Sequence, residues 1–234
     1  MQRKAFSLGH ARWRQYNVQP GSLEMLLQHA ARLPELLQRV DIYRSASRAS
    51  VVQNINPLQQ LLDLEQNFSA WLEDYHGRAN ERYHFVSSTT PVGYFRDTRT
   101  LRFTSFLSSS FHLLYWVCQL LLHASIFEIS LEKQLASASV QHHAKASIVL
   151  ANKYATLLRQ GVQYLLHAPC GNMSRLTAVS FPLYVLNHWY TGSGQHEEAQ
   201  SCQALELHLR TSNPGVQWDA LLPWSFNTLT WLAT

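Results

Sequence analysis

Residues 103–131 read FTSFLSSSFHLLYWVCQLLLHASIFEISL, and how this stretch is read decides the fold. Phe103, Phe106, Ser110, Leu113, Val117, Leu120, Ala124, Phe127 and Leu131 recur at steps of three and four, the stripe of a helix packed along its length. The opposite flank carries Tyr115, Trp116, Leu122 and Ile126, so both sides of the helix are apolar. Such a helix belongs inside a protein with neighbours on several faces. The window from Phe111 to Ile129 is long enough to span a bilayer, but His112, Gln119, His123, Ser125 and Glu128 interrupt it and are costly at membrane depth. The expectation is an all-α protein, a multi-helix bundle or stacked helical hairpins around a central buried helix at about 103–131, with no membrane span.

Towards the carboxyl end, Ala144, Ile148, Ala151, Ala155, Leu158, Val162 and Leu165 form the seam of a long helix from Ser139 to His167. Its small residues let a neighbouring helix approach closely. A break at Pro169–Asn172 precedes a helix capped by Ser174, with Leu176, Val179, Leu183, Leu186 and Tyr190 on one face. Pro182 removes the bond to the Ala178 carbonyl and predicts a kink there. Gly192-Ser193-Gly194 ends the helix, His196–Leu209 forms a weaker one, and the last segment holds Trp218, Trp224 and Trp231 on one or two short helices.

Towards the amino end, Pro57 opens a helix after the cap Asn56. Leu61, Leu64, Phe68, Trp71 and Tyr75 line its face as far as Gly77. Before it, Leu23–Tyr43 reads as helical, with Pro34 expected to divide it into two short helices and Arg44–Asn54 as a loop. Arg78–Thr100 lacks helical periodicity and reads as a long connection; no stretch of the chain reads as a strand or hairpin. The domain expectation is a basic arm over 1–21 and one all-helical domain over 22–234.

Composition narrows the function classes. The 234 residues are 46% hydrophobic and 15% charged, the make-up of a folded protein. Three scattered cysteines, Cys118, Cys170 and Cys202, form neither a disulfide framework nor a C-x2-C zinc pair. The net charge of +4 resides in Arg3, Lys4, Arg12 and Arg14, and the other 15 basic and 15 acidic residues cancel. A neutral body lacks the broad electrostatic footprint of a nucleic-acid-binding domain. The basic start is either a solubilising terminus or an arm that contacts phosphates.

Within the central helix His112, Trp116, Gln119 and His123 make one polar line. The two histidines stand about 16 Å apart along the axis, too far to share an ion, and no metal-ligand spacing, nucleophile elbow or phosphate loop occurs elsewhere. The line either meets a partly wet groove and a neighbouring helix or lines a pocket for a small effector.

The succession Leu33-Pro34-Glu35-Leu36-Leu37 ending in Asp41, then Trp71, then Tyr115-Trp116 with Leu120 to His123, resembles the regulatory region of fungal zinc-cluster transcription factors. The closest part is Gln160-Gly161-Val162-Gln163-Tyr164-Leu165 followed by Phe181-Pro182-Leu183 and, after a glycine break, by Glu197-Glu198. The similarity covers about residues 30–220. The family's six-cysteine zinc cluster, which holds the DNA-reading helix, is not within these 234 residues, and residues 207–234 hold one acid, Asp219, rather than an acidic activation tail. The resemblance implies a non-enzymatic, nuclear transcription regulator without cofactor or metal. It would act through protein partners, a complete factor or a second copy of itself, and possess no sequence-specific DNA binding of its own. Readings of other classes are a helical scaffold without a transcriptional role and an all-α enzyme.

Overall fold

The computed structural model describes residues 20–48, 57–79, 83–92, 95, 97–132 and 138–221. Among them lie seven helices and one hairpin in the order α1 (Pro20–Arg48), α2 (Pro57–Ala79), β1 (His84–Val92), β2 (Asp97–Arg102), α3 (Phe106–Glu132), α4 (Ala138–His167), α5 (Asn172–Gly192), α6 (His196–Ser212) and α7 (Trp218–Leu221). The protein is all-α in class, with a two-stranded sheet as its β component.

The central helix forms as its composition demands. Ser105 caps it, its hydroxyl accepting from Ser108 N at 3.0 Å while its carbonyl accepts from Ser109 N at 3.1 Å. From Phe111 to Ile126 every residue but Leu114 is buried, so the helix is enclosed on all faces through its middle. The most complete burial falls on the flank of Tyr115, Trp116, Leu122 and Ile126, whereas Phe106, Ser110 and Phe127 are partly exposed and Leu131 is exposed. α3 is long and apolar enough to cross a membrane, and 83% of its most apolar window is buried inside the protein.

The chain forms two compact units. One contains α1, α2, α3 from Cys118 onward and α4 up to Tyr154. In it α1 packs on α2, with Leu26, Leu33, Leu37, Leu61, Leu64 and Phe68 all buried. Arg39 Nη1 donates to Gln60 Oε1 at 3.0 Å across that pair. Arg44 on α1 forms a partly buried ion pair with Glu128 on α3 at 2.8 Å. Glu128, a cost in any membrane reading, is here the partner of a cation.

The other unit contains the hairpin, α3 up to Val117, α4 from Ala155, and α5 to α7. α5 packs on α6 and α7, and the Tyr190 hydroxyl donates to the Ala155 carbonyl of α4 at 3.4 Å. Arg175 donates to the Ala168 and Cys170 carbonyls at 3.0 and 3.4 Å, satisfying acceptors left open where α4 ends. α5 ends where Gly194 takes φ +73°, with Ser193 N bonded to Trp189 O and Gln195 N to Tyr190 O.

Four expectations are corrected. Pro34 lies inside one unbroken α1. Buried Leu26, Ala30, Leu33, Leu36, Leu37 and Val40 continue the apolar face across it, and that packing outweighs the one backbone bond proline removes. α1 also runs to Arg48, through part of the expected loop. α5 starts at Asn172 after Gly171, not after Ser174. Within Arg78–Thr100, read as a connection, His84–Val92 instead forms a strand that pairs antiparallel with Asp97–Arg102, setting His84 against Arg102, Phe85 against Leu101, Val86 against Thr100 and Ser87 against Arg99, then an irregularity before Val92 with Asp97. The basic residues Arg3, Lys4, Arg12 and Arg14, and the tryptophans Trp224 and Trp231, lie outside the described residues.

Candidate functional site

The polar line of α3 is divided between the two units: His112 and Trp116 fall in one, Gln119 and His123 in the other. All four side chains are buried.

His112 and Trp116 are one helical turn apart, with ring centroids 5.6 Å apart. His112 Nδ1 lies 2.8 Å from the Ser108 carbonyl; a carbonyl only accepts, so this nitrogen carries a proton. Tyr83, just before β1, meets His112 at 5.2 Å and Trp116 at 5.3 Å, both edge-on. Phe103, at the end of the hairpin, meets the same two rings at 5.5 and 5.9 Å and Tyr164 of α4 at 5.0 Å. Edge-to-face and tilted contacts of this kind add packing energy and orient rings. Burial, with Tyr115 beside it, raises the Tyr83 hydroxyl above its ordinary value. The hairpin is thus what completes the aromatic cage around His112.

Gly161 explains how α4 reaches this cage. A β-carbon at that position would lie 2.6 Å from Leu113 Cδ1 and 3.0 Å from Trp116 Cζ3, so any larger residue there would have to push the Leu113 side chain aside, and glycine allows the approach without that shift.

In the other unit His123 lies parallel to Tyr154 of α4, with centroids 5.6 Å apart and planes 7° apart. Among the described residues neither ring nitrogen of His123 has a hydrogen-bond partner. Burial, with Lys153 second, lowers its pKa to about 4, which keeps the imidazole neutral at neutral pH. Gln119 stands one turn before it on the same face. Ser130, two turns after it, is also fully buried, and its hydroxyl has no hydrogen-bond partner among the described residues.

The remaining chemistry-bearing groups are spread apart. Burial raises the Cys118 thiol. Cys202 is pushed up to about 12, mainly by burial, with Arg159 opposing and Glu198 and Glu206 reinforcing the shift; both are protonated thiols at neutral pH. Among the described residues no group of three or more His, Cys, Asp or Glu side chains could hold a metal ion.

Tyr83, Phe103, Tyr154 and Tyr164 surround the expected site residues. Tyr154 had a signal in the sequence: it lies three residues after Ala151 on the α4 seam. Tyr83 had none, because its place depends on a hairpin whose sequence is polar.

No family model, no curated protein and no solved structure matches this chain.

Proposed function

We propose that this chain is a transcription regulator of the kind its resemblance to fungal zinc-cluster factors implies, acting through protein contacts made by its folded surface. One observation carries the reading. Most of the apolar residues of the resemblance fall on buried helical positions: Leu33, Leu36 and Leu37 of α1, Trp71 of α2, Tyr115 and Trp116 of α3, Gly161, Val162 and Leu165 of α4, and Phe181-Pro182-Leu183 of α5. Residues of a shared regulatory scaffold belong in such positions, because a core tolerates little change in volume. Output then comes from protein partners, either a complete factor or a second copy of this chain, and the place of action is the nucleus.

Deleting the gene in its source organism and measuring transcripts, with a fluorescently tagged copy to locate the protein, tests this reading. The expected result is nuclear accumulation and an altered, bounded set of transcripts. An unchanged transcript profile with a protein excluded from the nucleus contradicts it and favours a scaffold. The purified chain is expected to retain no particular duplex sequence in a DNA selection.

A further inference from the structure

We infer that the solvent-facing side of α4 from His142 to Lys153 is a docking face for an acidic segment of a partner protein, one whose carboxylates bracket an apolar side chain. This goes beyond the regulatory reading and does not depend on it, since a scaffold would use such a face in the same way.

The argument starts from the charge of the helix. α4 contains Lys145, Lys153 and Arg159 and no aspartate or glutamate. Arg159 is accounted for: it pairs with Glu198 at 3.9 Å and lies over the Phe95 ring at 5.8 Å. Lys145 and Lys153 form no ion pair among the described residues. The Lys153 ammonium lies 5.6 Å from the Tyr154 ring centroid, a contact that supplies no counter-charge.

Helical spacing gathers the exposed residues into one stripe. His142, Lys145, Ala146, Val149, Asn152 and Lys153 share a side of α4 and are all exposed. Ala144, Ser147, Ala151 and Tyr154 on the opposite side are buried, and the whole stripe belongs to one compact unit. Val149 sits at its middle and is 66% exposed, more than any other large apolar side chain among the described residues. Lys145 precedes it by four residues and Lys153 follows it by four. The two cations thus stand about 12 Å apart along the axis with the valine between them.

This arrangement selects the occupant. Cations without counter-ions attract carboxylates and steer their approach, while an exposed valine between them rewards an apolar side chain that removes it from water. A nucleic-acid backbone fits less well, because two lysines neutralise few phosphates and the valine gains nothing from them. A lipid surface calls for a broad apolar face, whereas here one large apolar side chain stands among polar ones.

The full chain and a short dye-labelled peptide in which aspartates flank a leucine pair test the inference by fluorescence anisotropy at low ionic strength. Saturable binding is expected, weakening several-fold as salt rises to about 0.3 M. The same peptide with lysines for its aspartates is expected not to bind. The double variant Lys145→Glu, Lys153→Glu is expected to weaken binding about tenfold or more, and Val149→Ser roughly threefold. Arg32→Glu, a charge reversal at an exposed site on α1, is expected to leave the affinity unchanged. The milder pair Lys145→Gln, Lys153→Gln, expected to cost about threefold, decides the question if charge reversal disturbs folding. Binding that does not saturate, equal binding of the lysine peptide, undiminished affinity in a folded double variant, or tighter binding of a mixed-sequence DNA duplex than of the acidic peptide would each overturn the inference.

Discussion

Gly161 of α4 faces Leu113 of α3 so closely that a β-carbon would come within 2.6 Å of Leu113 Cδ1. Leu113 is buried and cannot swing into solvent to make room. Gly161→Ala sets two effects against each other. Alanine gains about 1 kcal/mol of intrinsic helix preference, while overpacking in a dense core costs roughly 1–3 kcal/mol. The clash at least offsets the gain, and the expected net loss is up to about 2 kcal/mol, a fall in Tm of up to roughly 8 °C. Thermal melts check it, and Leu113→Ala is expected to cost less in the Gly161→Ala background than in the wild type.

The Arg44–Glu128 pair joins α1 to α3, with side chains 15% and 14% exposed. This lies between a surface pair, worth little, and a fully buried one, whose disruption strands a charge. Glu128→Gln is expected to destabilise by roughly 1–3 kcal/mol in denaturant melts. The double variant Arg44→Gln, Glu128→Gln is expected to recover part of that loss, which would identify the stranded cation as the cause.

His123 makes stability depend on pH in a defined window. Its folded pKa is lowered from 6.5 to about 4, so between those values the unfolded chain binds a proton that the folded chain refuses. Its contribution is complete above pH 6.5 and is lost as pH falls through the window. The loss is on the order of 3 kcal/mol by pH 4. His29, whose pKa burial and Arg32 also lower, acts in the same direction. Denaturant melts from pH 7 to pH 4 are expected to show a smaller decline for His123→Phe than for the wild type.

The three cysteines differ in reach. Cys118 and Cys202 are buried protonated thiols, whereas Cys170 in the α4–α5 turn is partly exposed. An aromatic disulfide reagent at pH 8 is expected to react promptly with Cys170 alone in the native chain and with all three cysteines in denaturant. Prompt reaction of Cys118 in native buffer would contradict the burial of α3.

Where local pattern and packing agreed, the fold was legible in the sequence. α2 began at Pro57, α4 ran from about Ala138 to His167, and the break at Gly192–Gly194 ended α5, because each had a seam and a terminator in register. α1 was misread because Pro34 is a local signal and the apolar face running through it is a longer-range one. The hairpin was missed because Ser87-Ser-Thr-Thr-Pro-Val lacks alternating apolar residues and carries Pro91, so its strand identity comes from pairing with Asp97–Arg102. The candidate site was half legible. His112, Trp116, Gln119 and His123 are buried with the rest of the central helix, but their separation into an aromatic cage and a Tyr154 face depends on elements distant in sequence.

Tethering the full chain to a heterologous DNA-binding domain upstream of a reporter tests the proposed role most directly, because the DNA contact is then supplied from outside and any output must come from protein contacts of this chain. The account predicts a change in reporter transcription over the untethered control, with loss of that change in a variant whose core is disrupted, such as Trp116→Ala. Reporter transcription equal to the untethered control, from a folded chain present in the nucleus, would contradict it.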